Sequence, residues 1–206
     1  MGSVLVVCAV EAERDAILAA GSAARVLVGG VGPAAVAAAT AAALAALAAS
    51  PGADLVLSAG IGGGFAPVSL GSIAVASSIV FADLGAETPD GFVPVSALGF
   101  GEERYEVDAS LAADLAARTG GRVGTIVTVA TVTGTATTTS RLQARFPDVV
   151  AEGMEGAGVA AAARVHGVPF AELRAISNLV GPRDRDAWEI PRALKALGAA
   201  VAAVAS

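Results

Sequence analysis

Ser3 to Ala20 reads SVLVVCAV over residues 3–10 and EAERDAILAA over residues 11–20, and this switch from an unbroken apolar run to a charged helical pattern decides the fold. A β-branched run without polar alternation marks a strand buried on both faces, so helices must cover it from two sides. Working outward, Arg25 to Gly30 repeats the strand signal, and Gly32-Pro33 opens an Ala-rich helix. Proline suits that first turn because its missing N–H would be unpaired there anyway. Asp54 to Ala59 is a third strand, delivering the glycine loop Gly60-Ile61-Gly62-Gly63-Gly64. Gly71 to Phe81 and Gly91 to Val95 read as strands with no long helix between them, so the sheet there is mixed or bent.

Further on, Asp108 to Thr119 is a helix with Asp108 as N-cap, and Gly124 to Ala130 is a strand running into the Thr-rich stretch 131–139. Thr137 to Phe146 fits a short helix stopped by Pro147. Val149 to Gly153 is extended, Glu155 to His166 helical, Pro169 to Ser177 a strand and Ala187 to Ala205 a closing helix. Strands alternating with helices predict an α/β sandwich, with ligands at the carboxyl ends of strands. Length and the absence of a linker favour one domain over residues 1–206.

The chain is 55% hydrophobic with a formal net charge of -6, and it has no basic stripe to neutralise phosphates. Nucleic acid is therefore not an expected partner. The single Cys8 lies inside the first apolar run and reads as a small packed hydrophobe in a reducing compartment. Acidic residues arrive from Glu11 onward without a basic leader, which predicts a cytoplasmic protein. Residues 26–53 carry no charge, but Gly29, Gly30, Gly32 and Pro33 interrupt them, so no membrane span is expected. His166 stands without a Cys or His cluster, and no metal is expected.

Four stretches carry polar chemistry. Glu11 and Glu13 fall just beyond a buried strand, where Glu13 is either a helix-start anion or a general base for water. The glycines at 60–64, Gly62 and Gly63 among them, are either a tight turn or a place where a ligand approaches backbone N–H groups; no helix follows them directly, so the dinucleotide fingerprint is a poor match. In Glu152-Gly153-Met154-Glu155-Gly156, the glycines weaken a helix, and Glu155 reads as a dipole partner or as a clamp on a vicinal diol. Arg174 to Ile190, RAISNLVGPRDRDAWEI, ends a strand in Ser177-Asn178 and enters a charged loop. Arg183 to Asp186 is either a self-paired solvated turn or a carboxylate-binding site, and Trp188 is either core packing or a substrate contact.

Ala9-Val10-Glu11-Ala12-Glu13, the glycines at 60–64, Phe146-Pro147, Gly153-Met154-Glu155-Gly156-Ala157 and Arg174-Ala175-Ile176-Ser177-Asn178 together resemble the nucleoside phosphorylase and nucleosidase superfamily. Within it, Ser177, Asn178, Val180, Gly181, Arg183, Asp184 and Trp188 are most similar to the futalosine hydrolase family. The resemblance implies a three-layer α/β/α sandwich with a mixed, partly barrel-like sheet, a homo-oligomer, no cofactor and a small-molecule nucleoside as partner. It further implies that Glu13 activates water, that Met154 and Glu155 hold the ribose, and that Asn178 replaces an acid used by adenine-specific relatives. An amide cannot deliver a proton, but it can donate to a six-oxo group and accept from a ring N–H, which matches hypoxanthine. The phosphorylase phosphate loop is missing around residues 10–14, so water is the expected nucleophile. Ser177 and Arg174 are expected supports, Arg183 or Arg185 a partner for the benzoate carboxylate of futalosine, the substrate that the resemblance implies, Phe81 a stacking partner and residues 85–104 a lid. The rival readings are an adenine-releasing nucleosidase acting on aminodeoxyfutalosine or methylthioadenosine, and a non-catalytic nucleoside-binding module.

Overall fold

In the computed structural model, which describes residues 3–47 and 52–205, the chain runs β1 (Val4–Cys8), α1 (Glu11–Ala19), β2 (Arg25–Val28), α2 (Pro33–Leu47), β3 (Leu55–Gly64), β4 (Ile73–Phe81), β5 (Gly85–Thr88), β6 (Gly91–Pro94), β7 (Arg104–Glu106), α3 (Ala109–Thr119), β8 (Arg122–Thr128), α4 (Ala136–Arg145), β9 (Val149–Gly153), α5 (Gly156–Val165), β10 (Phe170–Leu179) and α6 (Ile190–Ala205). The large sheet follows the order β10-β4-β8-β9-β3-β1-β2, and β10 also pairs with β3. That extra pairing closes β10, β4, β8, β9 and β3 into a ring, with β1 and β2 as a parallel extension and β7 on the edge of β4. Parallel and antiparallel pairs coexist, as the expected mixed, partly barrel-like sheet requires.

The first apolar run serves both faces. Val4, Val6 and Cys8 pack with Ile17, Leu197 and Val201 of α1 and α6, whereas Leu5 and Val7 pack with Val36 and Val159 of α2 and α5. Each fully buried Val or Leu of this kind contributes about 1.5–3 kcal/mol by burial. Cys8 is part of this core; burial pushes its thiol up to about 12, which leaves it unreactive. Asp108 caps α3 by accepting from Leu111 N at 2.9 Å, and His166 ends α5.

Three expectations need correction. Gly60 to Gly64 is not a loop but the last half of β3, held between β10 on one side and β9 on the other. Glycine is poor in strands, yet here backbones crowd together: a Cβ on Gly62 would lie 2.5 Å from the Glu152 carbonyl oxygen. Residues 85–104 hold a hairpin of β5 and β6, not a lid over the cleft described below; the Arg145 guanidinium stacks on Phe92 at 4.3 Å. The last helix begins at Ile190 instead of Ala187, leaving residues 180–189 as a loop.

Candidate active site

A cleft of about 420 Å³ opens where β1, β3, β9 and β10 end. Glu13, Gly62, Gly63, Met154, Glu155, Ser177, Asn178 and Arg183 all line it, so residues spread over most of the chain meet in one place.

Glu13 sits on the first turn of α1 and is 3% exposed. Its Oε2 accepts from Ala9 N at 2.8 Å and Val10 N at 3.3 Å, and its Oε1 accepts from Ile61 N at 2.8 Å. Three backbone donors from two strand ends therefore fix the carboxylate. Gly60 makes room for it, since a Cβ there would lie 2.7 Å from both Glu13 Oε1 and Arg174 Nη1.

Behind the cleft, Arg174 is 2% exposed and threads three elements together. Its Nη1 donates to Glu155 Oε2 at 3.0 Å, its Nε to Glu172 Oε1 at 2.8 Å and its Nη2 to Ser58 Oγ at 3.2 Å. Burial disfavours the guanidinium charge, but Glu172, Glu155 and Glu13 outweigh it and hold the group more firmly protonated than usual. Glu172 responds differently. Burial pushes its carboxyl up to about 7 against the pull of Arg174, and its Oε2 has no hydrogen-bond partner. Glu155 also accepts from Gly32 N at 3.3 Å and Met154 N at 3.2 Å, and makes no side-chain cap to its own helix.

At the other end, a β-bulge shapes the site. Ile176 pairs with Gly62 and Asn178 with Gly63, so Ser177 is the extra residue of β10. Bulges of this kind re-aim side chains beside functional sites. Ser177 Oγ lies 3.2 Å from Gly62 O and 2.8 Å from Asn178 Oδ1, while Asn178 Nδ2 donates to Leu179 O at 3.2 Å. The Leu179 carbonyl requires the amide nitrogen on its side, which turns Oδ1 toward the Ser177 hydroxyl. One N–H and one lone pair of Asn178 remain unused by these contacts.

Glu152, two residues before Met154, joins the site although the sequence assigns it no role. It is 5% exposed and lines the cleft, with Oε1 accepting from Thr133 N at 2.8 Å and Oε2 from Thr133 Oγ1. Burial raises its pKa, and the Thr133 hydrogen bonds oppose that rise. Phe81, the expected stacking partner, packs against the main core and does not line the cleft; Val132, Met154 and Trp188 supply apolar surface there. At the rim, the Arg183 and Arg185 guanidiniums lie 5.1 and 5.7 Å from the half-buried Trp188 ring, and among the described residues no ion pair joins them to Asp184 or Asp186. Among the described residues no group of three or more His, Cys, Asp or Glu is placed to hold a metal ion, and no helix is long and apolar enough to cross a membrane.

The profile of the phosphorylase superfamily matches residues 16–206. The chain belongs to that superfamily. Within the superfamily it is 44% identical over 221 aligned positions to a futalosine hydrolase of Acidothermus cellulolyticus, covering 97% of this chain and 89% of that protein. It is 54% identical to a futalosine hydrolase of Streptomyces coelicolor over 153 residues, covering 74% of this chain and 65% of the relative. Superfamily structures share the fold. A futalosine hydrolase mutant of Helicobacter pylori superposes with a TM-score of 0.81 at 19% identity, covering 98% of each chain. A methylthioadenosine/S-adenosylhomocysteine nucleosidase of Neisseria meningitidis, in complex with methylthio-immucillin-A, also gives 0.81 at 22% identity, covering 99% of this chain and 98% of that one.

Proposed function

We propose that this protein hydrolyses the N-glycosidic bond of futalosine, releasing hypoxanthine and dehypoxanthine futalosine for menaquinone biosynthesis. The observation that carries the reading is the pairing, in one cleft, of a backbone-fixed carboxylate at Glu13 with an oriented amide at Asn178. Similarity to futalosine hydrolases over most of the chain supports it.

In this reading Glu13 takes a proton from water as the water oxygen bonds to the ribose C1′. The C1′–N9 bond breaks through an oxocarbenium-like transition state, and its electron pair leaves with the base. Glu155, held by Arg174 and two backbone N–H groups, accepts from the ribose hydroxyls, and Met154 packs against the sugar. Asn178 donates to the six-oxo group and accepts from N7 once that nitrogen gains a proton from solvent. General-base assistance of this kind is worth about 10²–10⁴-fold, and stabilising the leaving base supplies much of the rest. Arg183, stacked by Trp188 at the cleft rim, meets the benzoate carboxylate of the substrate. Self-association, which the resemblance implies, is tested by sedimentation velocity.

Incubating the purified protein with futalosine, with and without phosphate, tests the proposal. Hypoxanthine release at the same rate in both is expected. Release that needs phosphate, or binding without turnover, overturns it.

A further inference from the structure

Glu152, Gly63 and Asn178 occupy one row of the sheet. Gly63 of β3 pairs with Glu152 of β9 on one side and with Asn178 of β10 on the other. Residues paired directly across strands face the same side of a sheet. The two polar side chains therefore flank a residue that has none, across two inter-strand spacings, roughly 9–10 Å. Gly63 keeps that slot open: a Cβ there would sit 3.3 Å from Asn178 Nδ2 and 2.7 Å from Val180 Cγ2. A flat heterocycle lying edge-on to this row meets an amide at one edge and a carboxylate at the other.

The carboxylate is unusual for its setting. Glu152 is buried, yet no ion pair reaches it among the described residues; its partners are the N–H and hydroxyl of Thr133. Buried carboxylates that serve only the core are normally met by a cation, as Glu155 and Glu172 are by Arg174. Each Glu152 oxygen accepts one hydrogen bond from Thr133 and keeps a further lone pair. Those lone pairs can accept from a donor on a bound heterocycle.

We propose that Glu152 is a second base-specificity residue, accepting the N1–H of a six-oxopurine while Asn178 reads the O6/N7 edge. The inference rests on the six-oxopurine reading of the cleft and extends it to the adjoining N1 side of the base, across O6 from N7. Hypoxanthine carries a proton on N1. Adenine carries a lone pair there, which faces the carboxylate unfavourably, so the discrimination comes from repulsion as well as attraction.

The test measures binding of hypoxanthine and adenine by calorimetry to the wild-type protein, Glu152→Gln and Glu152→Asp, beside release of base from futalosine. The wild type should favour hypoxanthine, and Glu152→Gln should reduce that preference about 10- to 100-fold, because its amide can turn a donor toward adenine N1. Glu152→Asp keeps the charge and should retain the order of preference with weaker binding. A Glu152→Gln protein with the wild-type preference overturns the proposal, as does a wild type that binds both bases equally. If Glu152→Gln does not fold, 1-methylhypoxanthine replaces it as the probe: having no N1–H, it should bind the wild type at least about tenfold more weakly than hypoxanthine, and equal binding overturns the proposal. A wild type that binds hypoxanthine through Glu152 yet never cleaves futalosine sinks the hydrolase reading and leaves this one standing.

Discussion

At one end of the cleft Glu13 and Glu155 meet five backbone N–H groups and the Arg174 guanidinium, whereas at the other end Glu152 and Asn178 meet a threonine, a serine and a main-chain carbonyl. Charge at the first end is compensated by donors that cannot move, which suits groups that must hold water and a sugar in fixed positions. The second end leaves hydrogen-bonding capacity unfilled, which suits a surface that reads donors and acceptors on a base. Removing a group from the first end should therefore cost rate or stability, and removing one from the second should change which base is chosen.

The largest effect is expected at Glu13. Glu13→Gln keeps the shape but removes the proposed base, so kcat should fall about 10²–10⁴-fold while binding of hypoxanthine persists. Steady-state kinetics beside calorimetry check this, and parallel loss of binding would blur the division between the ends. Next comes Arg174→Ala, which strands two buried carboxyls; urea denaturation should show a loss of about 3–5 kcal/mol. A smaller, pH-dependent effect belongs to Glu172. Its carboxyl has a folded pKa of about 7 against an ordinary 4.5, chiefly through burial. Between those values the folded protein holds a proton that the unfolded chain has released, so the stabilisation is complete below about pH 4.5 and is lost as pH rises toward 7. Stability of the wild type relative to Glu172→Gln should thus decline over that window, and a rising difference would mean that pairing with Arg174 dominates burial. The smallest effect is at the rim, where Arg183→Ala should raise KM for futalosine about tenfold with kcat little changed, the exposed charge being partly screened.

The fold was legible where composition is decisive. The run from Val4 to Cys8 buries both faces, as its unbroken β-branched pattern predicts. Gly60 to Gly64 was not, because a glycine run signals a turn unless neighbouring backbones on both sides require it, and those neighbours come from residues about 90 and 115 positions later. The eight anticipated site residues do line one cleft; Glu13, Met154, Glu155, Ser177 and Asn178 stand at strand ends or helix starts, whereas Arg183 lies in the loop after β10 and the glycines inside β3. Glu152 and the Ser177 bulge were hidden for a shared reason: their meaning lies in register, which pairs Glu152 and Asn178 through Gly63 and leaves no trace in either segment alone. Glu172 was hidden because it sits in an apolar strand whose charged partner, Arg174, is two residues on, so both point to one face.

The most direct measurement offers the protein equimolar futalosine and aminodeoxyfutalosine in one vessel and follows hypoxanthine and adenine by chromatography from the first minutes. Hypoxanthine should appear first, with adenine emerging only after futalosine is largely consumed. Adenine appearing first would contradict the assignment of Asn178 and its end of the cleft.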